Sequence, residues 1–332
     1  IGFMVGAELE YDVFRRYGWQ FIIILFCEGI LTMLVVTGLV WLLTGNPVVA
    51  LLLGALSSAT APAATVDVLW QYKSRGPVTT TILAIVALDD GLSLILYGFA
   101  FAIAKSLYTG NGIAVGDVVL GPCIEILGSL ALGCVAGIIL KYTLSFIHKE
   151  DDRLVVTLGC VLMGAGLAEQ LDLSLIMVAM ATGCWLTNTS KHQSEKCFEM
   201  IKAFTPPLYT LFFLLVGARL RISLIPQIGS IGLIYVLGRT LGKWSGAYLG
   251  ARLSGAADTV RRYLGFALFS QAGVALGLAL HTFQYFSRLG VAGAELGGIV
   301  INVIAATTLI VQIIGPVAVK FAITKAGEIP KD

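Results

Sequence analysis

The chain has 332 residues, 57% of them hydrophobic and only 13% charged, with a formal net charge of +2. A water-soluble domain carries about 25% charged residues, and the mean hydropathy of +0.89 lies far on the lipid side. These figures exclude an ordinary soluble enzyme, and the small net charge gives no reason to expect a nucleic-acid partner.

The chain opens at Ile1–Leu9 as if in the last turns of a helix already in progress, so further N-terminal helices are expected before it. Apolar runs punctuated by Gly, Pro and charged turns then predict spans near 19–43, 47–72, 78–105, 117–146, 153–170, 173–188, 204–222, 224–253, 258–284 and 291–322. The polar, amphipathic stretch 190–203 predicts a helix lying in the membrane interface. Short loops imply one transmembrane domain over 1–332. The cysteines are scattered without CxxC pairing and read as small packing residues, and the three histidines fall in or near loops without metal spacing. Arg15/Arg16, Lys73/Arg75, Lys141/Lys149/Arg153, Lys191/Lys196/Lys202 and Arg261/Arg262 fall on one side, which the positive-inside rule makes cytoplasmic. Arg219, Arg221 and Arg288 run against that pattern.

The sequence resembles itself at a constant shift of 211 residues: Val5-Gly6-Ala7-x-Leu9 recurs as Val216-Gly217-Ala218-x-Leu220, and Gly54, Ala61, Ala64 and Leu69 recur as Gly265, Ala272, Ala275 and Leu280. Repeat one covers about 1–105 and repeat two about 204–322, with linking helices at 117–188. An odd number of spans between the copies inverts the second, an architecture of secondary transporters. At the centre of each repeat the apolar run is interrupted. The first break carries Ser57, Ser58, Thr60, Ala61 and Pro62, and the second Ser270, Gln271 and Gly273. Proline removes a backbone donor and clashes with the preceding turn. Backbone freed at membrane depth persists only where it lines a cavity or binds something. Kinked packing helices are the plainer alternative for either segment alone.

Charges inside the apolar runs are the strongest signal. Asp89 and Asp90 lie side by side within TTTILAIVALDDGLSLILYGFAF. An acidic residue at the bilayer centre costs about 2.5–3.5 kcal/mol on insertion scales. A carboxylate pair held away from water binds a proton or a desolvated cation in competition. Adjacent residues point about 100° apart on a helix, so the two have room for different partners. Arg239 and Lys243 share a face of the span 224–253, and Glu28 is a third acid inside an apolar run. The 211-residue shift superposes Glu28 on Arg239, which makes Glu28–Arg239 a candidate ion pair, structural or gating, and leaves Lys243 for an aspartate. Asp67 reads either as lining a cytoplasmic funnel or as solvated, and Glu125 as facing either a subunit interface or a pathway.

In their order along the chain, SSATAPAATVDVL, ALDDGLSLIL, GRTLGKWSGAYLGARLSG and LFSQAGVALGLAL resemble the monovalent cation:proton antiporter superfamily, the sodium/hydrogen exchanger group, over essentially the whole length. The resemblance implies an all-α polytopic membrane protein of inverted-topology repeats with two crossed, broken transmembrane helices. It implies a core domain beside a dimerisation domain, a homodimer, and an elevator-like movement. The Thr-x-Pro-like turn is Thr60-Ala61-Pro62. Members with an Asn-Asp motif and a Glu five residues before the Asp are electroneutral. Here Asp89-Asp90 and Ile85 stand at those places, which resembles the electrogenic Asp-Asp branch. On that resemblance Asp90 is the main carboxylate for cation and proton, and Asp89 pairs with Lys243. Ala61 departs from the many members that have an acid after the crossover Thr.

The expected function is secondary antiport of protons against Na+, with Li+ or K+ as alternatives, in a bacterial inner membrane. No cofactor is expected, no enzyme chemistry, and no ATP motif is present, so an ion gradient must drive the cycle. The rival readings are an organic-anion/sodium symporter of the same architecture, a gated K+ efflux channel, and a transport-dead sensor.

Overall fold

The computed structural model describes residues 2–8, 11–110, 115–147, 149–171, 173–191, 194, 196–201, 207, 211, 214, 225–271 and 273–330. The expected span 204–222 lies almost wholly outside them, and the segment 190–203 partly so. Within the described residues every regular element is helical. By length and composition four helices can cross a membrane: Gly18–Thr44, Leu88–Thr109, Ile124–Phe146 and Val291–Ala326. The bent pair Asp258–Leu268 and Gly273–Ser287 makes a fifth. Within the described residues the other expected spans fall short of that test because they are broken, short, or carry charges.

The chain divides into two compact units. The first, Ile1–Arg16 with Ala114–Leu215, contains α1 (Gly2–Glu8), the start of α2 (Tyr11–Thr44), α6 (Val115–Phe146), α7 (Glu150–Gln170) and α8 (Leu175–Thr189). Its core is formed by Phe3, Leu140, Leu144, Leu186, Cys197 and Ile201 among others. Polar groups there bond locally: the Ser174 N–H donates to Ser129 Oγ at 3.0 Å and Thr182 Oγ1 donates to the Gly133 carbonyl at 3.2 Å. Glu125 is half-buried on α6. Helix α2 kinks at Gly18 (φ 70°, ψ −174°), beside the boundary between the units.

The second unit, Tyr17–Ile113 with Val216–Asp332, contains every charged residue singled out inside the apolar runs except Glu125. Its helices are the rest of α2, α3 (Pro47–Ser57), α4 (Pro62–Gln71), α5 (Pro77–Thr109), α9 (Ile225–Leu253), α10 (Asp258–Tyr263), α11 (Gly273–Ser287) and α12 (Val291–Ala326). A 3-10 turn, Leu264–Leu268, follows α10. Asn46 starts α3 by accepting from the N–H groups of Val48 and Val49, and Pro47 supplies a preset φ at the first position. Pro62 does the same for α4. The chain is therefore non-helical over 58–61, between α3 and α4, and again between the 3-10 turn and α11. His281, expected in or near a loop, lies within α11, where its Nδ1 is 3.0 Å from the Tyr97 hydroxyl.

Helix α9 docks closely on α2. A Cβ at Gly242 would stand 2.5 Å from Thr32 Cα, and one at Gly246 would stand 2.6 Å from Glu28 Cα. Only glycine permits this backbone approach, and the four-residue spacing of Gly238, Gly242, Gly246 and Gly250 repeats the small residue along one face.

Candidate functional site

The two breaks meet. The Ala61 N–H donates to the Ser270 carbonyl at 2.9 Å, Ser270 Oγ donates to the Ala61 carbonyl at 3.3 Å, and the hydroxyls of Thr65 and Ser270 lie 2.8 Å apart. Gln271 reaches back into the first repeat: its Nε2 donates to the Leu56 carbonyl at 2.8 Å, and it also bonds the Tyr235 hydroxyl. Ser57 and Ser58 return their hydroxyls to the carbonyls of Gly54 and Ala55, so they spend their donors locally. Gly273 begins α11. Ala272, the repeat mate of Ala61, lies outside the described residues.

A helix that stops in mid-membrane leaves carbonyls without donors and a partial negative charge at its C-terminal end. Here the ends of α3 and of the 3-10 turn are both served by Arg239, which is 1% exposed. Its Nε donates to the Ser57 carbonyl at 3.1 Å. Its Nη2 donates to Ala59 at 2.7 Å, Ser270 at 3.1 Å and Leu268 at 3.5 Å, and its Nη1 bonds the Phe269 carbonyl. A planar guanidinium with five donors suits this cluster of acceptors. The expected Glu28–Arg239 ion pair is thus corrected: Arg239 spends its donors on backbone carbonyls of both breaks.

Glu28 pairs with Lys243 instead. Lys243 Nζ lies 2.7 Å from Glu28 Oε2 and 3.1 Å from Asp89 Oδ2, and it also bonds the Ser58 carbonyl. Glu28, Asp89 and Lys243 are each 0% exposed. The glycine contact explains the partner change. Because Gly242 and Gly246 sit against Thr32 and Glu28, the residue between them, Lys243, is carried to the Glu28 carboxylate. Arg239 lies one turn earlier on the same helix and reaches the breaks. The repeat symmetry places residues at equivalent positions but does not set this register.

Asp90 is 3% exposed, and its carbonyl accepts from Ser93 Oγ at 2.8 Å. Thr60, in the first break, is 1% exposed, and its hydroxyl has no hydrogen-bond partner among the described residues. The same holds for Asp89 Oδ1. Asp67 is exposed on α4. Among the described residues the breaks thus have three buried carboxylates, Glu28, Asp89 and Asp90, and two buried bases, Arg239 and Lys243, around them.

Lys243 and Glu28 should be energetically coupled, whereas Arg239 and Glu28 should not. Removing one partner of a buried pair costs roughly 3–5 kcal/mol, because the other charge is left uncompensated. Thermal unfolding of Glu28→Gln, Lys243→Gln and the double variant should give a total well below the sum of the single effects. Simple additivity would mean that the two charges do not share a contact.

The sequence model of the family described as "Sodium/hydrogen exchanger, transmembrane" matches residues 3–320. The Na(+)/H(+) antiporter NhaP of Pseudomonas aeruginosa is 25% identical over 227 residues, which are 66% of this chain and 46% of that protein. The chain thus spans about half the length of this curated relative. Among solved structures, the sodium proton antiporter MjNhaP1 from Methanocaldococcus jannaschii at pH 8 superposes with a TM-score of 0.78 at 17% identity, over 98% of this chain and 84% of that one. An electron-microscopy map of the same antiporter gives a TM-score of 0.75 at 15% identity, over 100% and 84%. At these identities the likeness establishes the fold, while the family match covers nearly the whole chain. This integral membrane chain belongs to the sodium/hydrogen exchanger family.

Proposed function

We propose that the chain is an antiporter exchanging protons for a monovalent cation, with Na+ the first candidate and Li+ or K+ the alternatives. The observation that carries this reading is the buried charge set at the junction of the two breaks, the carboxylates Glu28, Asp89 and Asp90 with the bases Arg239 and Lys243, beside a Thr60 hydroxyl that has no hydrogen-bond partner among the described residues. Asp90 is the carrier group. Thr60, backbone carbonyls of the break and water complete the cation shell, because a hard monovalent ion takes oxygen ligands. Proton and cation compete for the same Asp90 carboxylate, so each displaces the other. The relatives' names support the same activity, and the buried bases disfavour the channel reading, which needs no lysine competing for carboxylates.

The finer reading is electrogenic exchange of the Asp-Asp type. Cation arrival at Asp90 draws Asp89 away from Lys243, whose ammonium then gives up a second proton in the same half-cycle. The inverted repeats form one transmembrane transport domain, move in an elevator-like manner, and work as a homodimer in a bacterial inner membrane.

The direct test is reconstitution in liposomes with proton flux measured against imposed Na+, Li+ and K+ gradients. No cation-dependent proton flux would remove the reading, and cation flux uncoupled from protons would favour a channel. Lys243→Gln should keep part of the exchange and lose its dependence on clamped membrane potential. Lys243→Arg should behave likewise, since arginine stays charged. If both variants remain as voltage-sensitive as the parent, the second proton comes from elsewhere.

A further inference from the structure

Helix α5, which carries Asp89 and Asp90, has no cap of its own. Its N-cap is Gly76, which has no side chain to accept from the first turn. The cap comes from the far end of the chain. Glu328 Oε1 accepts the Val78 N–H at 2.7 Å, and Oε2 accepts the Thr79 N–H at 2.7 Å and the Thr79 hydroxyl at 2.6 Å. The Arg75 N–H donates to the Glu328 carbonyl at 3.0 Å. Glu328 is only 7% exposed. Gly76 has φ 158°, and a Cβ there would run into the Glu328 carboxylate, so this docking requires glycine.

The group is presented rigidly. Gly327 (φ 73°) ends α12 in a left-handed turn, and the Glu328 N–H returns to the Ile323 carbonyl at 3.0 Å. About two turns earlier, Lys320 Nζ sits 4.8 Å from the centroid of the Tyr72 ring. The end of α12 therefore grips both ends of the connector 72–79, which leads from the half-helix α4 to the acidic helix α5.

We propose that Glu328 is a positioning residue for antiport: its carboxylate, docked on the first turn of α5, fixes the axial position of Asp89 and Asp90 against Lys243 and the first break. Asp90 lies about 18 Å along the helix from Val78 at the usual rise per residue. Over that length a capped α-helix transmits a displacement as a rod, whereas a frayed first turn lets it slide and rotate. A carboxylate accepting backbone N–H groups at a helix N-terminus uses both charge-assisted bonds and the helix dipole. The proposal rests on the reading of Asp90 as the carrier carboxylate.

The test is Glu328→Gln in liposomes, with hydrogen exchange of the same protein followed at residues 78 and 79. The amides should exchange about ten-fold faster, as the loss of a charged cap implies. The apparent KM for the cation should rise about five-fold, with the maximal rate within about two-fold of the parent. A purely structural cap would lower the amount of folded transporter and leave KM alone. Thr79→Val, which keeps the carboxylate and both backbone donors, should move KM the same way by about two-fold. Faster amide exchange with an unchanged KM overturns the proposal, as does unchanged amide exchange. A parent that exchanges no cation removes the antiport reading with it; an active parent with unaltered Glu328→Gln kinetics removes this proposal alone.

Discussion

Asp90→Asn should reduce cation–proton exchange to the background of protein-free liposomes while leaving the protein folded. Asparagine keeps the volume and a carbonyl acceptor but cannot take up or release the proton. It also changes the charge balance of the junction. With Asp90 neutral, the carboxylates of Glu28 and Asp89 remain with Lys243, and the junction loses a charged oxygen ligand for a cation. The loss is thus double: the proton-carrying group and a charged ligand for the cation go together. The Lys243 contacts to Glu28 and Asp89 remain, so a monodisperse species with near-parental thermal stability is expected in detergent. Robust proton flux driven by sodium, lithium or potassium in this variant would end the assignment of Asp90 and, with it, the proposed competition.

The features that were legible in the sequence are those that violate the chemistry of a membrane interior. Asp89 and Asp90 stand out because charge is costly there. The two breaks stand out because Pro62 and the Ser270-Gln271 pair interrupt apolar runs that otherwise read as continuous helices. Helices α5 and α9 begin and end within a few residues of their expected limits, since Pro77 and the loop charges mark their ends. What failed was the choice of partner between Glu28 and Arg239. That choice depends on how α9 slides along α2, and a constant repeat shift carries no such information. The relevant signal was present in GRTLGKWSGAYLGARL as glycines every four residues, which fix the line of closest approach. Reading that line would have put Lys243, not Arg239, beside Glu28. Glu328 had no comparable mark. A cap supplied across 250 residues is a property of the tertiary arrangement, and Gly76-Pro77 reads locally as an ordinary helix start.

Arg239 and Lys243 therefore divide two tasks that a buried base can perform. Lys243 faces carboxylates, Glu28 at 2.7 Å and Asp89 at 3.1 Å, and is placed to respond to their protonation or to a cation beside them. Arg239 faces the carbonyls of both breaks and has no role that requires a change of charge. A guanidinium fits that second task because it stays charged and its donors are spread in a plane. The permanent base holds the crossing, and the base that can lose a proton sits with the acids.

Arg239→Met should accordingly be the most destabilising single substitution in the second unit. Methionine approximates the length of the stem but supplies no donor. The carbonyls of Ser57, Ala59, Leu268, Phe269 and Ser270 would lose the group that now serves them. A buried polar group left unsatisfied costs about 1–3 kcal/mol. Several at once put the loss on the order of 5 kcal/mol or more, before counting the two helix C-termini left facing each other without a positive charge. Arg239→Lys should be intermediate, because an ammonium keeps the charge but cannot span acceptors from both breaks with three donors. Thermal unfolding in detergent, followed by size-exclusion profiles, should rank parent, Arg239→Lys and Arg239→Met in that order, with transport lost in the last. Adding Glu28→Gln to Arg239→Met should give no rescue, since Glu28 belongs to Lys243. Near-parental stability in Arg239→Met would mean that water or other donors hold the crossing, and rescue by Glu28→Gln would restore the ion pair that the structure replaces.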